Sequence, residues 1–291
     1  MKKADIKKIV RQGYAKVATT STSCCGPSAS GCGCGGGTAV SNKSISKAMG
    51  YSDKEMASVP KEANLGLGCG NPIALASLKP GETVLDLGSG PGLDCFLAAN
   101  KVGPTGRVIG IDMTPEMIAK ARNNAKKGGY ATPPAQKGSR ASVEFRLGEI
   151  EKLPVQDNSV DVIISNCVIN LSPDKPAVFK EAFRVLKPGG RLMVSDVVTT
   201  NQLPEELMKS IGAYVGCLSG AIMKGQYLGT IKKVGFTKVK ILDASKFPID
   251  FMLNDPTAKA LADTVNLSAK SLEGVGDSVE SIKVSAIKPK G

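Results

Sequence analysis

A mostly apolar run, Thr83-Val84-Leu85-Asp86-Leu87, passes directly into Gly88-Ser89-Gly90-Pro91-Gly92 and then into the helix-forming stretch Leu93 to Asn100. No other feature constrains the fold as tightly as this succession of buried strand, glycine turn and helix. Glycine is needed where backbone turns left-handed or approaches a ligand closely, and open α/β sheets bind ligands beyond the carboxyl ends of their strands. The spacing is G-x-G-x-G. A dinucleotide fingerprint would place its third glycine one residue later, where Leu93 stands, so a pyrophosphate site is disfavoured.

From Glu82 onward strands and helices alternate. Candidate strands are Thr83–Leu87, Val108–Ile111, Val143–Leu147, Val160–Ser165 and Leu192–Val198; candidate helices are Pro115–Lys127, capped by Thr114, and Pro173–Leu186, capped by Ser172. This rhythm predicts a mostly parallel sheet with helices on both faces. Thr237–Leu242 and Ile282–Ile287 read as two late strands suited to an antiparallel edge, after a mainly helical insertion that begins near residue 200. The span 243–280 reads as helix, most clearly from Pro256 to Lys270. Before the core, Lys2 to Lys16 favours a helix, Thr19 to Thr38 is a Ser/Thr/Gly/Cys-rich stretch with little to bury, and Ser52 with Glu55 forms a capping box. Asn71 followed by Pro72 has the form of another helix start. The expected division is an N-terminal arm over 1–65 with a flexible cysteine-rich segment, a core over 66–200, and a C-terminal lid and substrate-binding region over 201–291.

The chain carries 38 basic and 26 acidic residues, a formal charge of +12. The basic residues are scattered rather than patched, and with 4% aromatics and no tryptophan there is no base-stacking platform, so nucleic acid is not an expected partner. Met1 to Val10 lacks the apolar stretch of a signal peptide and no later run approaches a membrane span, which predicts a soluble, cytoplasmic protein without a membrane partner. The absence of histidine excludes an imidazole base, nucleophile or ligand. Eight cysteines without a secretory signal point to reduced thiols: Cys24, Cys25, Cys32 and Cys34 cluster in the arm, while Cys69, Cys95, Cys167 and Cys217 are spread singly.

Asp112 ends the second strand twenty residues past Gly92, where a carboxylate accepts hydrogen bonds from both hydroxyls of a ribose. The alternative is that it only opens the turn into the next helix. Glu149, in Gly148-Glu149-Ile150 after the third strand, is placed either to frame an adenine or to stand as a solvated loop acid. Leu85–Gly92, Asp112, Gly148–Leu153 and Arg184–Gly190 together resemble the motif series of class I S-adenosylmethionine methyltransferases over roughly residues 70–200. The resemblance implies a Rossmann-like seven-stranded sheet with the cofactor across the ends of strands one, two and four. Its expected contacts are Asp86, Gly88, Ser89, Gly90, Gly92, Asp112, Met113, Glu149, Ile150 and Asn166.

Three further segments each centre on one cysteine: Asn64–Pro72 around Cys69, Ser165–Leu171 around Cys167, and Gly216–Ala221 around Cys217. In this order around such a core they are similar to arsenite methyltransferases. Cys167 follows the fourth strand and should sit where the donor methyl is presented, and the segments bearing Cys69 and Cys217 can fold over the same edge. A lone cysteine is more often a small buried hydrophobe, and that reading suits Cys95. Three thiols without histidine or a fourth ligand suit trivalent arsenic, a soft three-coordinate centre, better than zinc. Arsenic keeps a lone pair to attack the sulfonium methyl, so no base is required; catalysis would rest on holding it about 3–3.5 Å from that carbon under a closing lid. The resemblance implies arsenite and methylarsenite as substrates and a thiol reductant, thioredoxin or a small thiol, for turnover. The four arm thiols are open to metalloid capture, disulfide exchange or no role. Two rivals remain: a methyltransferase for a small metabolite, using Glu149, Asp94 or Tyr214 as base, and a non-catalytic protein that binds soft metalloids.

Overall fold

The computed structural model describes residues 3–19, 42–72, 77–130, 142–203, 220–246 and 276–291. Cys24, Cys25, Cys32, Cys34, Tyr214 and Cys217 lie outside them, as do the insertion residues 204–219, the expected helix at 256–270 and the helix start after Pro72. Seven strands, β1 Thr83–Leu87, β2 Arg107–Asp112, β3 Ser142–Leu147, β4 Val160–Asn166, β5 Leu186–Thr199, β6 Thr237–Lys246 and β7 Val279–Ile287, form one sheet. Their order is β3-β2-β1-β4-β5-β7-β6, and seven is the number of strands that the resemblance to class I methyltransferases implies. β1 to β5 are parallel, whereas β7 runs antiparallel to both β5 and β6.

β1 shows why these residues form a central strand. Val84 faces one core cluster and Leu85 and Leu87 face the other, so both faces are covered, as parallel strands require. On one face α4 (Leu93–Val102) and α5 (Pro115–Lys127) pack around Phe96, whose ring stacks on Tyr130 with centroids 4.6 Å apart. On the other, α6 (Lys175–Val185) and α7 (Lys224–Val234) meet through Phe179 edge-on to Tyr227. Before the sheet come α1 (Lys3–Thr19) and the short α2 (Asn42–Ala48) and α3 (Asp53–Ala57). α3 carries the expected capping box between Ser52 and Glu55.

Several local expectations are corrected. α6 begins at Lys175 rather than Pro173, and Asp174, not Ser172, caps it by accepting from the Ala177 backbone N–H. Ser172 Oγ instead accepts from the Asp174 N–H. Thr114 occupies the cap position of α5 without a side-chain cap bond; its hydroxyl and its backbone N–H both donate to the Asp112 carboxylate. Residues 243–246 continue β6, 276–278 form one 3-10 turn and 279–280 belong to β7, so neither described end of the expected 243–280 helix is α-helical. No described helix is long and apolar enough to cross a membrane.

Candidate functional site

The strand order reverses between β1 and β4, each of which sends its chain to a different side, and a crevice opens past their carboxyl ends. It holds about 1210 Å³ of space free of atoms, its open mouth included. The wall contributed by the glycine turn depends on missing side chains: at Gly88, with φ at +69°, a Cβ would collide with Val168. Gly92 serves a different purpose. It does not line the crevice; a Cβ there would strike the Phe96 and Phe145 rings at 2.8 Å, so its absence lets α4 close onto the sheet.

Of the expected cofactor residues, Asp86, Gly88, Ser89, Gly90, Asp112, Met113, Ile150 and Asn166 line the crevice. Asp112 accepts from the Gly90 N–H at 2.9 Å with one oxygen and from the Thr114 N–H at 2.8 Å with the other. It therefore ties the turn to β2 and still faces the opening. Glu149 points elsewhere: it is half-exposed and pairs with Lys7 on α1, while its neighbour Glu151 lines the crevice. Two residues not counted among the cofactor contacts matter here. Asp94, in the first turn of α4, accepts from Tyr51 Oη at 2.7 Å and from Asn166 Nδ2 at 3.2 Å. An acid directly after a glycine turn was the available sign for Asp94; for Tyr51 there was none.

These carboxyls make the crevice electrostatically distinct. Burial raises Asp94 to about 6 against the opposing hydrogen bonds from Tyr51 and Asn166. Burial, then the charge of Asp94, pushes Asp86 well above the carboxylate range, and burial raises Asp112. The bonds of these three acids run to a thiol, a hydroxyl, an amide and backbone N–H groups rather than to any basic side chain. Such a cluster suits a ligand that brings positive charge, and S-adenosylmethionine carries both an ammonium and a sulfonium. The buried Ser89 Oγ, which has no protein partner, is a further polar atom on that wall.

Cys167 lines the crevice, and the structure brings Cys69 up to it. β4 ends at Asn166, and Cys167 follows with φ at +57°, a left-handed conformation that costs a non-glycine residue about 1–3 kcal/mol. Asn166 acts as a clamp: its Oδ1 accepts from the Cys69 N–H at 3.1 Å, and its Nδ2 donates to Gly70 O and to the Tyr51–Asp94 pair. The Ser195 carbonyl on β5 receives both the Cys167 N–H at 2.8 Å and the Cys69 thiol at 3.6 Å. Both thiols are buried in an apolar cluster with Val10, Leu171, Val197 and Val279. The two sulfurs and a carboxylate oxygen of Asp196 all lie within 4.8 Å of one another. Asp196 was not foreseen, although a Ser-Asp pair interrupting the buried run Leu192–Val198 was a visible anomaly. Cys95 is kept apart: fully buried on α4, it donates to Asp86 at 3.2 Å, and burial with that neighbouring acid keeps it a neutral thiol.

Residues 78–235, more than half of the chain, match the family model described as a methyltransferase domain. An arsenite methyltransferase of Halobacterium salinarum is 48% identical over 81% of this chain and 59% of its own length. The arsenite methyltransferase of Homo sapiens is 39% identical over 57% of this chain and 44% of its own length, so the chain spans about half the length of these curated relatives. The crystal structure of an arsenic(III) S-adenosylmethionine methyltransferase from Chlamydomonas reinhardtii superposes with a TM-score of 0.62 and 34% identity, covering 85% of this chain and 74% of that one.

Proposed function

Since the chain belongs to the methyltransferase-domain family and is similar within it to arsenic(III) S-adenosylmethionine methyltransferases, we propose that it transfers methyl groups from S-adenosylmethionine to thiol-bound trivalent arsenic. The observation that carries this reading is the convergence of Cys69 on Cys167, which lines a crevice walled by buried acids.

When bound, S-adenosylmethionine supplies an electrophilic methyl group on a sulfonium. Asp86, Asp94 and Asp112 line the wall that would hold it, where a bound cation would favour their ionised forms, and the Gly88 turn lets that wall come close. Cys69 and Cys167 hold the acceptor. Each thiol forms an As–S bond as an As–O bond of arsenite breaks, and the thiol proton departs with the hydroxide as water; arsenic stays trivalent and keeps its lone pair. Cys217 is the candidate third thiol. The resulting neutral complex suits the apolar cluster around the sulfurs. Because the attacking atom carries no proton, a chain without histidine is chemically sufficient. A thiol reductant, thioredoxin or a small thiol, would keep these cysteines reduced between turnovers.

The reading is tested by product analysis with arsenite, methylarsenite, a thiol reductant and labelled cofactor. Cys167→Ser and Cys217→Ser should each lower arsenite methylation at least about a hundredfold while leaving cofactor binding intact. Cys69→Ser should block arsenite but spare methylarsenite, which has only two positions for protein sulfur. Near-normal turnover of arsenite in Cys167→Ser would transfer the chain to the small-metabolite methyltransferases.

A further inference from the structure

The thiol pair has a third neighbour that the methyl-transfer chemistry leaves unused. Asp196 is wholly buried near the end of β5, on the face covered by α7. Tyr227 Oη on α7 donates to its Oδ2 at 2.9 Å, and the Val197 N–H donates to its Oδ1 at 3.0 Å. Burial raises its carboxyl to about 7, against the charge of the buried Lys175 and the hydrogen bond from Tyr227, which both favour the carboxylate. A carboxylate placed in an apolar strand and fastened from two sides costs desolvation, and a purely structural solution would use an apolar residue or a hydroxyl. What distinguishes its position is that one of its oxygens lies within 4.8 Å of both Cys69 Sγ and Cys167 Sγ. An atom that bridges the two sulfurs on the side of Asp196 therefore has an oxygen acceptor beside it.

Resting on the arsenic reading above, we propose that Asp196 is the oxygen partner of the substrate site, accepting a hydrogen bond from the hydroxyl that remains on arsenic after Cys69 and Cys167 have displaced the other two. Arsenite has three hydroxyls. Two thiols remove two of them as water, with two As–S bonds formed, two As–O bonds broken and no change in oxidation state. The remaining As–OH is polar and would sit among apolar side chains, where an unpaired hydroxyl is costly; Asp196 satisfies it and fixes which side of the arsenic carries oxygen. That side is also the one a third thiol must later take, its proton leaving with the hydroxide as water. Asp196 thus makes the half-loaded state specific for arsenite. Methylarsenite has only two hydroxyls, loses both to the two thiols, and has nothing to donate to Asp196.

This difference supplies the test. In the reduced Cys217→Ser chain, where bound arsenite keeps one hydroxyl, affinities for arsenite and methylarsenite are measured calorimetrically with and without Asp196→Asn. Replacing a charge-assisted hydrogen bond by a neutral one should weaken arsenite about fivefold or more, with methylarsenite changed by less than about twofold. Equal weakening of both ligands would show that Asp196 only supports the thiols and would overturn the proposal, as would no change in either. Tyr227→Phe, which leaves the carboxylate and its backbone donor in place, should keep the preference for arsenite; its loss there would overturn the proposal even if Asp196→Asn failed to fold. Should neither arsenical bind before Asp196 is altered, the arsenic reading itself fails.

Discussion

Asp112 answers two readings with two oxygens: one oxygen accepts from Thr114 at the start of a helix, as a turn acid would, and the other reaches the glycine loop at Gly90. Asp112→Ala should weaken cofactor binding at least about tenfold by calorimetry, through lost ligand contacts and a loosened turn. Unchanged affinity would remove it from the site. Asp94 gives a pH signature. Its carboxyl is raised from 3.8 to about 6 by burial, so the stability of its neutral form is fully present below 3.8 and is lost as pH climbs through about 6. A cationic ligand prefers the ionised acid, so cofactor affinity should rise over the same interval. Thermal shifts with and without S-adenosylmethionine between pH 5 and pH 8 check both trends, and Asp94→Asn should flatten them. Asp112 was legible because its meaning lies in the strand and helix that flank it. Tyr51 and Asp196 were not, because each takes its role from a partner brought up by the fold, Tyr51 from Asp94 and Asp196 from Tyr227 and two distant thiols.

Elements were read well where burial dictates them and less well where two local solutions compete. β1, β2 and β4 lie within a residue of their apolar runs because strands covered on both faces are mostly apolar, and β3, at the sheet edge, was legible from Val143 and Phe145 alternating with Glu144 and Arg146. In the segment Ser172-Pro173-Asp174-Lys175-Pro176 the sequence was read with Ser172 as the cap, although Asp174 is also followed by a proline in the first turn. The structure chooses Asp174, whose carboxylate caps the Ala177 N–H while Lys3 of α1 pairs with it. Asp174→Ala should therefore cost about 1 kcal/mol, a fall in Tm of about 2–4 °C in thermal unfolding. A fall no larger than that of an exposed control such as Lys126→Ala would show the cap to be idle. β6 was foreseen to Leu242 but continues to Lys246 because it is an exposed edge, where Lys238, Lys240, Asp243 and Lys246 replace the apolar signal and also discourage pairing with another chain.

The molecule is drawn together around the crevice by a helix that the sequence sets apart from the core. α1 contributes Lys7, Val10 and Tyr14 to the crevice wall, and Val10, 1% exposed, packs in the same cluster as Cys69 and Cys167. Its ion pairs, Lys7 with Glu149 and Glu151 and Lys3 with Asp174, lie near the surface and contribute little in salt. Burial of Val10 contributes more, about 1.5–3 kcal/mol for a side chain of that size. α1 is then held mainly by apolar contact, and it reaches both the crevice and the cluster around the thiols, where on the proposed reading it would shield the cofactor and the acceptor from water. Val10→Asp, which puts an unpaired charge into that cluster, should undock the helix and weaken S-adenosylmethionine binding at least about tenfold while the sheet stays folded. Lys7→Ala should change affinity by less than about threefold, since Lys7 pairs with Glu149 and Glu151 at the rim of the crevice and such partly exposed pairs contribute little. Serine at Cys24, Cys25, Cys32 and Cys34 together should leave it unaltered, since those thiols are assigned no part in the crevice. Calorimetry on the three variants, with folding followed by circular dichroism, decides the matter: if Val10→Asp remains folded and binds the cofactor as tightly as the parent chain, α1 is not the cover of this site.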